Sequence, residues 1–301
     1  MASNCAPIAL FAYRRPEHLK SCLTSLLQNP EASSTALWIF CDGPRSAAEA
    51  DATRKVRELA RATGGFSSVT VIERPENIGL AASVISGVAE VLDSADRVIV
   101  VEDDLVVSPD FLGYMNQGLD LYADVPEVVS IHAFTYALDA KLPQSFFLRG
   151  ADCWGWATWR RGWAVFNPDG QALLTELDSR GQGLTFDFDG AYPYRQMLVD
   201  QVAGKVDSWA IRWNASAFLA NKLTLYPGNS LVENIGQDGS GTHSGSSDSH
   251  RSTFGRMTLP LERIPVQESS DAREAFIRTL TRSHGSGLRS RMRRILTRNQ
   301  A

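Results

Sequence analysis

Three adjacent carboxylates, Glu102, Asp103 and Asp104, follow directly on the apolar run Val98 to Val101 in the stretch RVIVVEDDLVVSPDF. Carboxylates side by side repel one another and are costly without a positive neighbour. A hard divalent cation, Mg²⁺ or Mn²⁺, supplies that charge through oxygen ligands, and its open positions are usually filled by substrate phosphates. Read alone, the triplet also fits a solvated acidic turn. Two further stretches favour the first reading. Asp42 closes an apolar run in WIFCDG, and Asn77 and Gly79 stand at a helix start in RPENIGLAAS. Helix N-termini attract anions through free N–H groups and the helix dipole. Three strand ends would then bring together an acid for a base or ribose, an anion nest and a metal-binding acid, the parts of a nucleotide-diphosphate pocket.

The elements that must position these groups alternate in type. Apolar runs at residues 7–13, 36–41, 69–72, 97–101 and 128–131 predict buried strands. Between them, residues 17–28, 47–62, 80–92 and 109–122 predict helices, the first opened by Pro16 and the second stopped by Gly64 and Gly65. This order predicts an α/β fold with a mostly parallel central sheet flanked by helices, its ligand crevice at the carboxyl ends of the strands. After Ala133 the pattern loosens around a tryptophan cluster, with two more helices expected near residues 194–203 and 209–220.

A chain of 301 residues, 44% hydrophobic, is ample for a sizeable core. The net charge of −4 is mild and argues against nucleic acid as the main partner. It is unevenly spread. From Arg273 onward eight arginines face one acid, Glu274, so this end is net +7 and the remainder −11. The four cysteines form no C-x-x-C pair, which fits reduced thiols in a cytoplasmic setting. No apolar run reaches a membrane-spanning length.

The stretches PIALFAYRRPEHLKSCLTSLL, FCDG, ENIGLAASVISGV and VVEDDLVVSPDFLGYM resemble the nucleotide-binding half of a GT-A-fold inverting glycosyltransferase. The opening segment is similar to family 2 glycosyltransferases. The acidic stretch is similar to the N-acetylglucosaminyltransferase I group, and the resemblance extends more weakly to near His243. It implies a domain over residues 1–270. Residues 1–133 would form its nucleotide-binding half and 134–270 its acceptor side, with a mobile loop at 234–252 and a basic helical tail at 271–301. It also implies that Asp104 holds Mn²⁺ or Mg²⁺, that Glu102 and Asp103 face the donor sugar and ribose, and that Asp42 contacts the nucleobase. Arg14 and Arg15 would border the nucleobase pocket. The donor would be a UDP-sugar, with UDP-GlcNAc one candidate, and the acceptor a glycan or lipid-linked sugar of a surface polysaccharide.

Inverting transfer needs a carboxylate that takes the acceptor's proton. Asp187, Asp189, Asp200 and Asp207 are the candidates, and Asp207 is the choice because it precedes a tryptophan as the family's base region does. The family places two acids before that tryptophan, and here Ser208 takes the second place. Asp207 could equally cap the helix that follows. His243, in the Gly-rich NIGQDGSGTHSG, would touch the diphosphate or the metal as the loop closes. Trp156, in CWGWATWRRGW, is the expected stacking surface for a sugar ring. Residues 285–298 place apolar side chains at helical spacing among arginines, which predicts binding at an anionic membrane surface and a peripheral position on its inner face. Competing readings are a non-catalytic sugar-nucleotide or glycan-binding module and a nucleotidyltransferase. The latter would need a Gly-rich loop after the first strand, where AYRRPEH has no glycine.

Overall fold

The computed structural model describes residues 5–236 and 252–283. Its first half follows the predicted alternation: β1 (Ile8–Ala12), α1 (Pro16–Leu26), β2 (Ala36–Cys41), α2 (Ala50–Arg61), β3 (Ser68–Glu73), α3 (Leu80–Ser94) and β4 (Arg97–Glu102). A short β5 (Leu105–Val107), α4 (Phe111–Leu121) and β6 (Val128–His132) follow. The second predicted helix starts late, because residues Ala47–Glu49 form a separate 3₁₀ turn before α2.

Among the described residues, eight strands share one sheet in the order β3-β2-β1-β4-β8-β6-β9-β7. The three strands not foreseen are β7 (Ser145–Arg149), β8 (Trp156–Trp159) and, later in the chain, β9 (Leu223–Pro227). Four of the seven neighbouring pairs are parallel: β1–β2, β2–β3, β1–β4 and β6–β9. β8 lies antiparallel between β4 and β6. Between β8 and β9 the chain forms α5 (Arg160–Trp163), α6 (Gly170–Ser179), α7 (Gly183–Phe186), α8 (Tyr194–Val202) and α9 (Trp209–Leu219). α8 and α9 are the two helices expected from the sequence. Finally β10 (Val232–Asn234) pairs antiparallel with β5.

Strand side chains alternate between faces, and the core divides accordingly. Ile8, Leu10, Ile99 and Val101 face one apolar cluster with α1, α2 and α4; Ala9, Phe11, Val98 and Val100 face another with α3 and α9. Both faces of β1 are therefore dry, which explains its unbroken apolar run. Residues 270–283 form a further helix whose Ala272, Phe276 and Leu280 are buried in the first cluster. The region expected to begin a basic tail at residue 271 thus starts as part of the core. Residues 284–301 lie outside the described residues, as does the membrane-binding helix expected at 285–298.

Register brings the site together. Phe11 lies opposite Glu102 and Ala12 opposite Cys41, so β1, β2 and β4 end along one edge of the sheet. Tyr13 to Arg15, Asp42 and the acidic triplet leave the sheet there. No described helix is long and apolar enough to cross a membrane.

Candidate active site

This edge opens into a cavity of about 690 Å³. Its walls come from the ends of β1, β2 and β4, the start of α3, the turn between β7 and β8, and α8 with the start of α9. Arg14, Asp42, Asn77, Glu102, Asp103, Asp104 and Asp207, seven of the sequence-predicted residues, all line it.

At the β4 end, the guanidinium of Arg15 lies 2.6 Å from Asp103 Oδ1 and 3.0 Å from Asp104 Oδ2. Arg15 thus pairs with the acids at the end of β4. Asp103 is buried, and its Oδ2 also accepts the Tyr13 backbone N–H at 3.2 Å. Burial pushes Asp103 up to about 6, against the pull of Arg15. Glu102 rises to about 8, through burial first and then the charges of Asp104 and Asp103. Arg15 alone faces Asp103 and Asp104, which leaves local negative charge unbalanced. β10 closes the far side of the acids, where the Ile235 N–H donates to the Asp104 carbonyl at 2.9 Å. A side chain at Gly236 would bring its Cβ within 2.2 Å of Asp104 Oδ2, so only glycine permits this approach.

At the β2 end, Asp42 accepts the N–H groups of Gly43 at 2.9 Å, Ile78 at 2.9 Å and Gly79 at 3.1 Å. Asn77 donates to the Gly43 carbonyl at 2.9 Å and accepts from Arg45 Nε at 3.2 Å. Gly79 takes a left-handed φ of +82°, which glycine adopts without strain. These contacts revise the expectation of an open anion nest. The amides before α3 are already occupied by the Asp42 carboxylate, and Gly79 spends its N–H there. Arg14 pairs with Glu49 at 2.8 Å, and the Tyr13 hydroxyl donates to the same carboxylate. Its bond with Tyr13 is the main reason that Glu49 stays below the usual carboxylate range. Glu49 organises this rim, yet in sequence it reads as one more surface acid in AAEAD.

Trp156 is a correction. Its ring is fully buried in β8, within 5.5 Å of Trp209, 5.6 Å of Trp213 and 5.7 Å of Trp163, centroid to centroid. Removing a buried ring of this size costs about 3–5 kcal/mol, so packing and not ligand stacking accounts for it. Trp154, two residues earlier, lines the cavity instead, edge-on to Phe134 at 4.8 Å.

Asp207 lies at the rim with its side chain 68% exposed and paired with Arg212 at 3.0 Å. Ser208, not Asp207, caps α9, its hydroxyl accepting the Ile211 N–H at 3.3 Å. Asp200 also lines the cavity, tied to Lys205 at 2.8 Å. Asp187 and Asp189 lie off its walls: the first accepts the Arg195 backbone N–H at 2.6 Å, the second pairs with Arg273 at 2.7 Å. His243 lies outside the described residues, as does most of the expected loop at 234–252. Sequence reasoning missed Asp152, which projects into the cavity between two glycines, Gly150 and Gly155, both with positive φ. Those flanking glycines were the available signal.

A comparison with curated proteins gives no match. Among solved structures, the mannosyltransferase PcManGT from Pyrobaculum calidifontis, in complex with GDP-Man and Mn²⁺, is 15% identical with a TM-score of 0.33, over 43% of this chain and 35% of its own. S. aureus TarS 1-349 is 13% identical with a TM-score of 0.33, over 58% of this chain and 49% of its own. Mannose-1-phosphate geranyltransferase from Thermus thermophilus is 13% identical with a TM-score of 0.35, over 75% of this chain and 77% of its own. The chain thus spans about a third of the mannosyltransferase and half of the TarS fragment. The model of Glycosyl transferase family 2 matches residues 8–163, from β1 through the acids to the end of α5 and over half of the chain, so the protein belongs to glycosyl transferase family 2 and has the GT-A fold.

Proposed function

We propose that the protein is a metal-dependent inverting transferase that moves a sugar from a UDP-sugar donor, UDP-GlcNAc being the first to test, to a glycan or lipid-linked acceptor in surface polysaccharide assembly. One observation carries this reading. The acids at the end of β4 and the carboxylate of Asp207 line a single cavity of about 690 Å³.

The donor set suits a divalent cation. Asp103 and Asp104 share one guanidinium, and Gly236 packs against the Asp104 carboxylate so closely that any side chain there would crowd it. No group of three or more metal-ligating side chains converges among the described residues. Asp104 would therefore hold the ion with phosphate oxygens completing its shell. When bound, the ion would offset the negative charge that grows on the departing diphosphate. Arg15 adds a second, fixed cation beside it.

The chain's own groups do the rest. Asp207 accepts the proton of the acceptor hydroxyl. The freed electron pair forms the new bond to the anomeric carbon, and the carbon–oxygen bond to the diphosphate breaks with its electrons leaving on phosphate. Arg212, at 3.0 Å, holds the Asp207 carboxylate in place. Arg14, Asp42 and Asn77 shape the nucleoside end. His243 would meet the diphosphate from the Gly-rich segment. The arginine-rich end would hold the enzyme at an anionic membrane surface.

A thermal-shift panel of nucleotides tests this. UDP should stabilise the protein with Mn²⁺ and not without it, ADP should not, and Asp104→Asn should abolish the metal dependence. Equal stabilisation by UDP in the presence of a chelator would overturn the metal reading.

A further inference from the structure

The other half of the cavity has a different chemistry. The turn between β7 and β8 is bent at both ends by Gly150 (φ +101°) and Gly155 (φ +66°). It is pinned to α9 by Asn214, whose Oδ1 accepts the Ala151 N–H at 3.2 Å. A Cβ at Gly150 would come within 2.4 Å of that same oxygen, so the pin requires glycine. The pinned turn presents Asp152 and Trp154 to the cavity.

Asp152 is held from behind. Its Oδ1 accepts the Cys153 N–H at 2.8 Å, and its Oδ2 lies 3.7 Å from Nε2 of His132. His132 is fully buried, and neither ring nitrogen has a hydrogen-bond partner among the described residues. Burial keeps this imidazole uncharged down to about pH 4, so it does not neutralise the carboxylate. No arginine or lysine pairs with Asp152 among the described residues. Lys205 is committed to Asp200 and Arg212 to Asp207. Phe134, Tyr136, Trp154 and Tyr192 surround the carboxylate with aromatic surface.

We propose that Asp152 and this aromatic wall form the subsite for a neutral pyranose ring of the acceptor, the carboxylate accepting two of its hydroxyls while an apolar ring face lies on the wall. A carboxylate between flat aromatic faces suits a hydroxylated ring. An anionic acceptor group at this subsite would meet uncompensated negative charge, which selects against it. The assignment rests on the transferase reading above and narrows its acceptor.

The test uses saturation-transfer NMR on the full chain, with methyl β-glucopyranoside, methyl β-galactopyranoside and methyl α-mannopyranoside as probes and glucose 6-phosphate as the anionic control. At least one glycoside should receive saturation from the protein, in the presence of UDP and equally of UDP-GlcNAc with Mn²⁺. Glucose 6-phosphate should not. Asp152→Asn, which keeps the shape, should weaken that glycoside about tenfold, the scale of one lost charge-assisted hydrogen bond. The variant's stabilisation by UDP with Mn²⁺ should stay at the wild-type value, which shows that it folds and keeps its donor end. Absence of transfer to every glycoside, undiminished transfer in Asp152→Asn, or equal transfer to glucose 6-phosphate would overturn the assignment. Loss of the signal with UDP-GlcNAc but not with UDP would also overturn it, because the lobe would then hold the donor's sugar. Failure of UDP to stabilise the wild type would instead count against the transferase reading.

Discussion

At the β2 end of the cavity the polar side chains already hold one another, whereas at the β8 end a carboxylate stands among aromatic rings with no cation paired to it among the described residues. Asp42 uses both oxygens on backbone N–H groups, Asn77 bridges Gly43 and Arg45, and Arg14 and Tyr13 share Glu49. Among the described residues Asp152 has the amide and thiol of neighbouring Cys153 and a neutral histidine. A wall whose polar groups are mutually satisfied is rigid and recognises by shape. A wall that holds an uncompensated charge recognises by chemistry, since a ligand must complete its hydrogen bonds.

Four substitutions would break or sharpen this contrast. Asp104→Asn should have the largest effect, lowering kcat/KM by about a thousandfold or more, because charge stabilisation of the leaving group is lost. A steady-state assay of UDP release would show it, and Mn²⁺ titration should no longer restore the rate. Next comes the acid sensitivity of His132. Its folded pKa of about 4 lies below the ordinary 6.5, so the stability it contributes is complete above pH 6.5 and is lost as pH falls through 4. That loss amounts to about 3 kcal/mol across the window. Urea unfolding at a series of pH values should trace it, and His132→Phe should flatten this part of the profile. Asp207→Asn should lower kcat about a hundredfold, with UDP stabilisation unchanged, as expected for a residue that moves a proton and does not bind donor. Retention of the wild-type rate would return the base assignment to Asp200. The smallest effect is expected for Asp42→Ala, which leaves the amides of Ile78 and Gly79 unpaired. It should cost about 1–3 kcal/mol of stability by chemical denaturation and barely move acceptor KM.

The same contrast explains what could be read in advance. The β1–β4 half was legible because parallel strands covered on both faces must be apolar throughout, and their register alone delivers Asp42 and the acidic triplet to one edge. The insertion of β8 between β4 and β6 was not legible, since it depends on antiparallel pairing across dozens of residues and on a strand of only four. Trp156 and Trp154 differ in fate for a local reason. The left-handed Gly155 between them ends the turn and begins the strand, so Trp154 faces the cavity and Trp156 the core. That Asp42 would fill the amides before α3 was hidden for another reason. The donors lie 36 and 37 residues away, beyond any helical or strand period.

The tryptophans around β8 have a consequence of their own. Trp156, Trp163, Trp209 and Trp213 form a chain of rings with neighbouring centroids 5.3 to 5.7 Å apart, joining β8 and α5 to the helix that begins just after Asp207. Indoles this close share their excited states. The cluster should therefore give a strong near-ultraviolet circular dichroism couplet whose shape depends on how α9 sits against the sheet. The α9 side of the cavity carries its own optical gauge, and no label is needed to watch it respond to a bound ligand.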